Sequence, residues 1–106
     1  MFARIVKMTI KPAHVTDWNA TFEKQILPTL RKEKGFQDEI TLVGPTGTEI
    51  LAISLWDAKA SAEAYNVGAF PELVKNLSHM LDGTPNVKTY EVGNSTMHTI
   101  SHPLPV

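Results

Sequence analysis

Tyr65 and Ser61 are the residues whose types and spacing most invite chemistry in this chain. They stand four apart in a stretch that reads as helix, so both hydroxyls project from one face. A phenol so placed can donate to a substrate oxygen or steady a phenolate as it forms. The plain alternative is that Tyr65 packs at a rim with its hydroxyl in water. Trp56 is the large aromatic that precedes this helix. It either lines a cavity and stacks on an aromatic ligand, or fills the sheet face or a dimer interface. Arg4 and Met8 share one face of the first strand by alternation and would meet a ligand from the sheet side. An enclosed arginine needs an acceptor. That acceptor is a substrate anion, or Glu39 or Asp38 from a neighbouring strand, and the ion pair is the expected arrangement. Glu39, if enclosed, could also serve as a general base with a raised pKa.

Other chemistries find little support. The chain has no cysteine, which removes disulfides, thiolate metal sites and cysteine nucleophiles. The histidines are His14, His79, His98 and His102. No HxH or HExxH pair occurs, and His98 and His102 fall in an irregular tail, so no metal site is expected. GPTG at 44–47 lacks the lysine and helix of a phosphate loop, and no GxSxG elbow is present. Lysines and arginines number 10 against 11 acids, a net charge of -1. That balance argues against nucleic acid as a partner, because phosphate binding needs a basic face. Lys24, Arg31, Lys32 and Lys34 read as the solvated side of a helix. No apolar run approaches the roughly 20 residues that cross a bilayer, so no membrane partner is expected. The opening MFARIVKMTIKP is too short and too charged for a signal segment. With no disulfides to hold a small secreted domain, the expected location is cytoplasmic.

The elements that must position these residues follow from periodicity. The 106 residues suit one domain, expected over 1–94, with 95–106 as a tail and a short edge strand near 96–100. Residues 2–11 are rich in β-formers, with Phe2, Val6, Met8 and Ile10 on one face and Ala3 and Ile5 on the other. Between 13 and 34, Val15, Trp18, Phe22, Ile26 and Leu30 recur at helical spacing. Pro28 should kink the last turn, and Gly35 is placed to cap it. Residues 36–43 and 48–56 read as two strands joined by the GPTG turn, hence an antiparallel hairpin. Asp57 is placed to cap a helix reaching Asn66. Gly68 ends that piece, and Pro71 starts another over 71–81. A fourth strand is expected over 87–92.

The order is β-α-β-β-α-β, an α+β chain of ferredoxin-like, split β-α-β type with its helices on one face of an antiparallel sheet. The opposite face must be covered if it is apolar. Val6, Met8, Ile10, Ile50, Ala52 and Trp56 are the residues expected there, with a second copy of the chain as the cover, giving a homodimer.

Taken together, KP at 11–12, LP at 27–28, GF at 35–36 and SLWD at 54–57 before a helix resemble the dimeric α+β barrel superfamily. Within it, the chain looks like the antibiotic-biosynthesis-monooxygenase-like domains, over roughly residues 3–92. The resemblance implies a homodimer whose sheets close a barrel, with one cavity per subunit between helices and sheet. It implies a small monooxygenase acting on an aromatic or quinone-type molecule, with no bound metal or flavin, the substrate itself supplying electrons to oxygen. Ser61, Tyr65 and Asn66 occupy the helix that holds phenolic substrates in such proteins, with Arg4, Trp56 and Met8 facing the ligand. A non-catalytic homodimer that binds a small ligand is the other reading. Heme-degrading relatives carry a strand-one asparagine, a helix tryptophan and a later histidine. Here Val6, Tyr65 and Val74 or Lys75 stand at those places, so heme degradation is the least expected outcome.

Overall fold

A computed structural model describes residues 1–100 of the chain. The elements are β1 (Phe2–Thr9), α1 (Val15–Thr21), α2 (Leu27–Arg31), β2 (Phe36–Val43), β3 (Glu49–Trp56), α3 (Lys59–Val67), α4 (Ala69–Leu77) and β4 (Asn86–Glu91). The strands form one antiparallel sheet in the order β2-β3-β1-β4. This is the expected ferredoxin-like arrangement, with β1 and β3 central and the helices on one face.

Burial along β1 alternates: Phe2, Arg4, Val6 and Met8 are buried, whereas Lys7 and Thr9 are exposed. The buried set faces the helices, where Trp18, Phe22, Ile26 and Leu30 close the core from the first helical arm and Tyr65, Leu73 and Leu77 from the second. The expected helical stripe of residues 15–30 therefore forms, but not as one α-helix. Phe22–Ile26 is a π-helical turn, and the Leu27 N–H reaches back to the Phe22 carbonyl. Pro28 lies just beyond, lacks an N–H and would crowd the carbonyl four residues before it. The wider turn absorbs that conflict and keeps both Ile26 and Leu30 buried.

Three expectations need correction. Asp57 does not cap α3: the residue preceding the helix is Ala58, with no side-chain cap, and the Asp57 carboxylate accepts from the Ser61 hydroxyl instead (2.7 Å). Pro71 does not open a helix, since α4 starts at Ala69, directly after Gly68. Residues 96–100 form no strand. They return instead to the sheet, where His98 Nε2 meets the Asp38 carboxylate. His102 and the tail prolines lie outside the described residues.

The expectation for the uncovered sheet face is also reversed. Val6, Met8, Ile10, Ile50 and Trp56 are buried under the helices, and Ala52 is packed against that core. The open face carries the residues of opposite parity. Ile5, Ile53 and Ile40 stand in one row and Leu51 with Leu42 in the next. Ile40 is 43% exposed, Leu42 49% and Tyr90 51%. A bulge between Phe36 and Asp38 explains how β2 serves both faces. Before it, Phe36 turns inward against Trp56 (5.7 Å between ring centres). After it, Asp38, Ile40 and Leu42 point outward.

Candidate active site

One row on the helix-covered face of the sheet gathers most of the polar side chains that can meet a ligand. Glu39 on β2, Ser54 on β3, Arg4 on β1 and Thr89 on β4 stand opposite one another in register. The neighbouring row is Thr41, Ala52, Val6 and Val87. Small side chains at Ala52 and Ser54 leave space over the middle of the sheet. α4 and the π-helical turn roof that space without filling it. The result is a cavity whose walls include Arg4, Met8, Glu39, Ser54, Tyr65 and Phe70. About 480 Å³ lies between its atoms, mouth included, yet only about 40 Å³ admits the centre of a water molecule. The second figure decides its character: a tight space, with room for a few waters and none for a bulky ligand.

Arg4 is the unusual member. It is 2% exposed, and a guanidinium so enclosed normally meets a carboxylate. Among the described residues it forms no ion pair. One nitrogen, Nη2, donates to Asn66 Oδ1 (2.9 Å), and the buried Nε has no partner among the described residues. The guanidinium carbon lies 4.0 Å from the Phe70 ring centre and 5.0 Å from that of Tyr65, so aromatic faces supply part of the stabilisation that water would give. Desolvation lowers the pKa of Arg4, partly offset by attraction to Tyr65. The expected pairing with Glu39 or Asp38 is absent. Glu39 is held elsewhere, its Oε2 accepting from Thr41 Oγ1 (2.7 Å), and Asp38 lies on the opposite face of the sheet. Burial raises the Glu39 pKa above the ordinary carboxylate value, and the Thr41 hydrogen bond partly counters this.

Tyr65 is buried on α3. Its ring stacks on Trp56 (5.2 Å, 29°) and leans on Phe70 (5.9 Å). Its hydroxyl has no hydrogen-bond partner among the described residues. Burial pushes its pKa up to about 12, against the pull of Arg4, so at neutral pH it is a neutral donor.

The structure thus brings Arg4, Met8 and Tyr65 to one cavity, with Asn66 behind Arg4 as its anchor. It separates two others from them. Trp56 is 0% exposed and does not line the cavity. It backs Tyr65 from beneath, and its Nε1 donates to Ser54 Oγ (2.9 Å). Ser61 does not share the cavity face with Tyr65. Although four residues bring the helix nearly full circle, Ser61 lies off the cavity and its hydroxyl is engaged by Asp57 beside Gly35. Ser54 and Phe70 escaped the sequence reading. Their signal was weak: a serine in an apolar strand, and an aromatic directly before the proline taken as a helix start.

No family model matches the chain, and no curated protein is similar to it. Solved structures are. A Nitrosomonas europaea protein of unknown function shares 20% identity over 92% of this chain and 94% of its own, with a TM-score of 0.75. A Streptomyces coelicolor monooxygenase, solved in complex with nanaomycin D, shares 20% identity over 92% of each chain, with a TM-score of 0.72. A Deinococcus radiodurans protein provisionally named an antibiotic biosynthesis monooxygenase shares 14% identity over 96% of this chain and 100% of its own, with a TM-score of 0.73. The chain therefore has the ferredoxin-like α+β fold that antibiotic-biosynthesis-monooxygenase-like structures share.

Proposed function

We propose that the protein is a cofactor-independent monooxygenase of a phenol- or hydroquinone-type aromatic molecule, acting as a homodimer joined through the open sheet face. One observation carries the reading: a buried guanidinium with an unpartnered Nε, walled by aromatic rings, in a cavity that also holds a neutral tyrosine hydroxyl. Such a site is costly when empty and favours an oxyanion on a flat apolar body.

The substrate ring enters the cavity among Met8, Phe70 and Tyr65. Its oxygen lies toward Arg4, which Asn66 keeps in place, and the Tyr65 hydroxyl donates to it. Ionisation of the phenol raises its electron density, and the ring passes electrons to dioxygen. The overall change is balanced: one phenol and one dioxygen give one quinone and one water. The ring C–H and phenol O–H are lost, one oxygen atom becomes the new carbonyl, and the other leaves as water. The Streptomyces neighbour, a monooxygenase solved with the ligand nanaomycin D, supports a small-molecule oxidation on this fold. The open face supports the dimer, because Ile5, Ile40, Leu42, Leu51 and Ile53 form an apolar strip that a second sheet would cover.

Oxygen consumption with a panel of phenols and hydroquinones tests the proposal. Wild type is expected to consume oxygen, and Tyr65→Phe to be slower by about 10-fold or more. If panel members bind tightly, by equilibrium dialysis, and none is oxidised, the oxygenase reading fails. The tight, mostly apolar cavity then fits the alternative of a non-catalytic small-ligand binder.

A further inference from the structure

We infer that Glu39 is the proton acceptor of this cavity, taking the hydroxyl proton of an acidic phenol whose oxyanion Arg4 then holds. The inference deepens the phenol-site reading and rests on it.

The register of the sheet is the first argument. Glu39 and Arg4 occupy the same cross-strand row with only Ser54 between them. Neighbouring strands lie about 4.8 Å apart, so the two backbones are roughly 10 Å apart. Both side chains line one cavity, yet they form no ion pair. Ser54 does not bridge them: its hydroxyl accepts from Trp56 Nε1 and donates to the Arg4 carbonyl (3.4 Å). An acid and a base thus flank one cavity, each with unused capacity toward it. Among the described residues neither Arg4 Nε nor Glu39 Oε1 has a partner.

Charge balance is the second argument. Empty, the site holds one guanidinium and one carboxylate. A phenolate added to it would set two anions against one cation in a desolvated space. A phenol entering neutral and passing its proton to Glu39 keeps the total at zero. The phenol O–H bond breaks, a carboxyl O–H forms, and the negative charge moves from Glu39 to the phenol oxygen beside Arg4. No proton reaches solvent.

The same step narrows the substrate class. An ordinary phenol ionises near 10, so transfer to a carboxylate runs uphill. Burial raises Glu39 and closes part of the gap from one side. A ring carbonyl conjugated with the hydroxyl closes it from the other by acidifying the phenol. Proton transfer is most effective when donor and acceptor are matched, so the preferred substrate is a phenol conjugated with a carbonyl. Tyr65 does not compete for the role, because its raised pKa makes it a donor.

The test uses 4-nitrophenol, which is acidic and absorbs visibly once ionised, in weakly buffered solution below its own pKa. On binding to the wild-type protein, nitrophenolate absorbance is expected to rise with no proton released. With Glu39→Gln, either the phenolate fails to form or each one formed releases a proton. Oxygen consumption with a carbonyl-conjugated phenol is expected to fall about 10²-fold or more. A second variant, Thr41→Val, keeps the carboxylate but removes the donor that favours its charged form. The acid limb of oxygen consumption should then move to higher pH. Arg4 on β1 and Tyr65 on α3 are the other titratable groups facing the cavity, with Glu33 near enough to act on Tyr65, and neither variant alters them. If Glu39→Gln binds nitrophenolate with the wild-type proton count and consumes oxygen normally, the inference is overturned. It is also overturned if the wild type does not bind nitrophenol. If nitrophenol ionises on Glu39 but no phenol is oxidised, the proton acceptor stands and only the oxygenase reading falls.

Discussion

Replacing Arg4 with methionine separates a side chain kept for binding from one kept for folding. Methionine retains most of the apolar length of arginine and fits the bed formed by Phe70 and Tyr65. The variant loses the hydrogen bond to Asn66, about 1.5–3 kcal/mol for a charged donor. It also loses the contacts with the two rings, about 0.5–2 kcal/mol. Against this, it removes a desolvated guanidinium, whose effective penalty is several kcal/mol, and an orphaned Nε, about 1–3 kcal/mol. Asn66 is exposed and regains water as a partner. The penalties removed, about 4 kcal/mol or more, nearly match or exceed the losses of about 2–5 kcal/mol, so the net loss is at most about 1 kcal/mol, where a lone surviving partner of a buried pair would have cost about 3–5 kcal/mol. At 4–8 °C per kcal/mol for a domain of this size, Tm should fall by no more than roughly 8 °C. Affinity for a phenolate should fall about 10–150-fold, the equivalent of one charge-assisted hydrogen bond. Urea unfolding and dialysis of nitrophenolate measure the two quantities. A loss above about 3 kcal/mol with unchanged affinity would refute the reasoning, because Arg4 would then be a structural keystone.

Further outcomes follow from the same geometry. Tyr65 keeps its proton in the folded state up to about pH 12 but loses it near 10 when unfolded. The folded state therefore binds more protons in that window, and its stability falls as pH rises through it, by up to about 2–3 kcal/mol. Urea titrations at both ends should show this extra loss in wild type and not in Tyr65→Phe; equal losses would contradict it. Gly35 sits at φ +84°, and a Cβ there would lie 2.2 Å from Asp57 Oδ1 and 2.3 Å from Ser61 Oγ. Gly35→Ala should cost about 2–3 kcal/mol, from left-handed strain and the displaced Asp57–Ser61 hydrogen bond. Unfolding within about 0.5 kcal/mol of wild type would show that this cradle yields freely. Ile53→Glu, set between Ile5 and Ile40 on the open face, should turn a sedimenting dimer into a folded monomer. A dimer that survives it is joined elsewhere.

Much of the fold was legible from local pattern. The alternation in residues 2–11 and 48–56, the helical stripe from Val15 to Leu30 and the turn at 44–47 each depend on nearest neighbours along the chain. Those neighbours are what sequence periodicity records. Element order then leaves few topologies, and the sheet order β2-β3-β1-β4 follows. The type of the site residues was legible too: an arginine in strand one and a tyrosine on the second helical arm.

Which way each strand faced was not legible, because alternation fixes two sets of residues without saying which set meets the helices. Apolar residues on both faces of β1 and β3 removed the usual cue. The bulge after Phe36 hid the change of face within β2. Pairing was likewise a tertiary matter. Arg4 was expected to meet a carboxylate because a buried charge needs one in general, but only the register could show Glu39 two strands away, with Ser54 between. The sequence alone determined that this chain would build a ferredoxin-like sheet and place an arginine and a tyrosine within it. Tertiary structure decided that the arginine would have no ionic partner among the described residues and would face, across the cavity, the acid expected to pair with it. The physical reason is distance: periodicity speaks for a few ångströms along the chain, and the cavity is made by groups far apart in sequence.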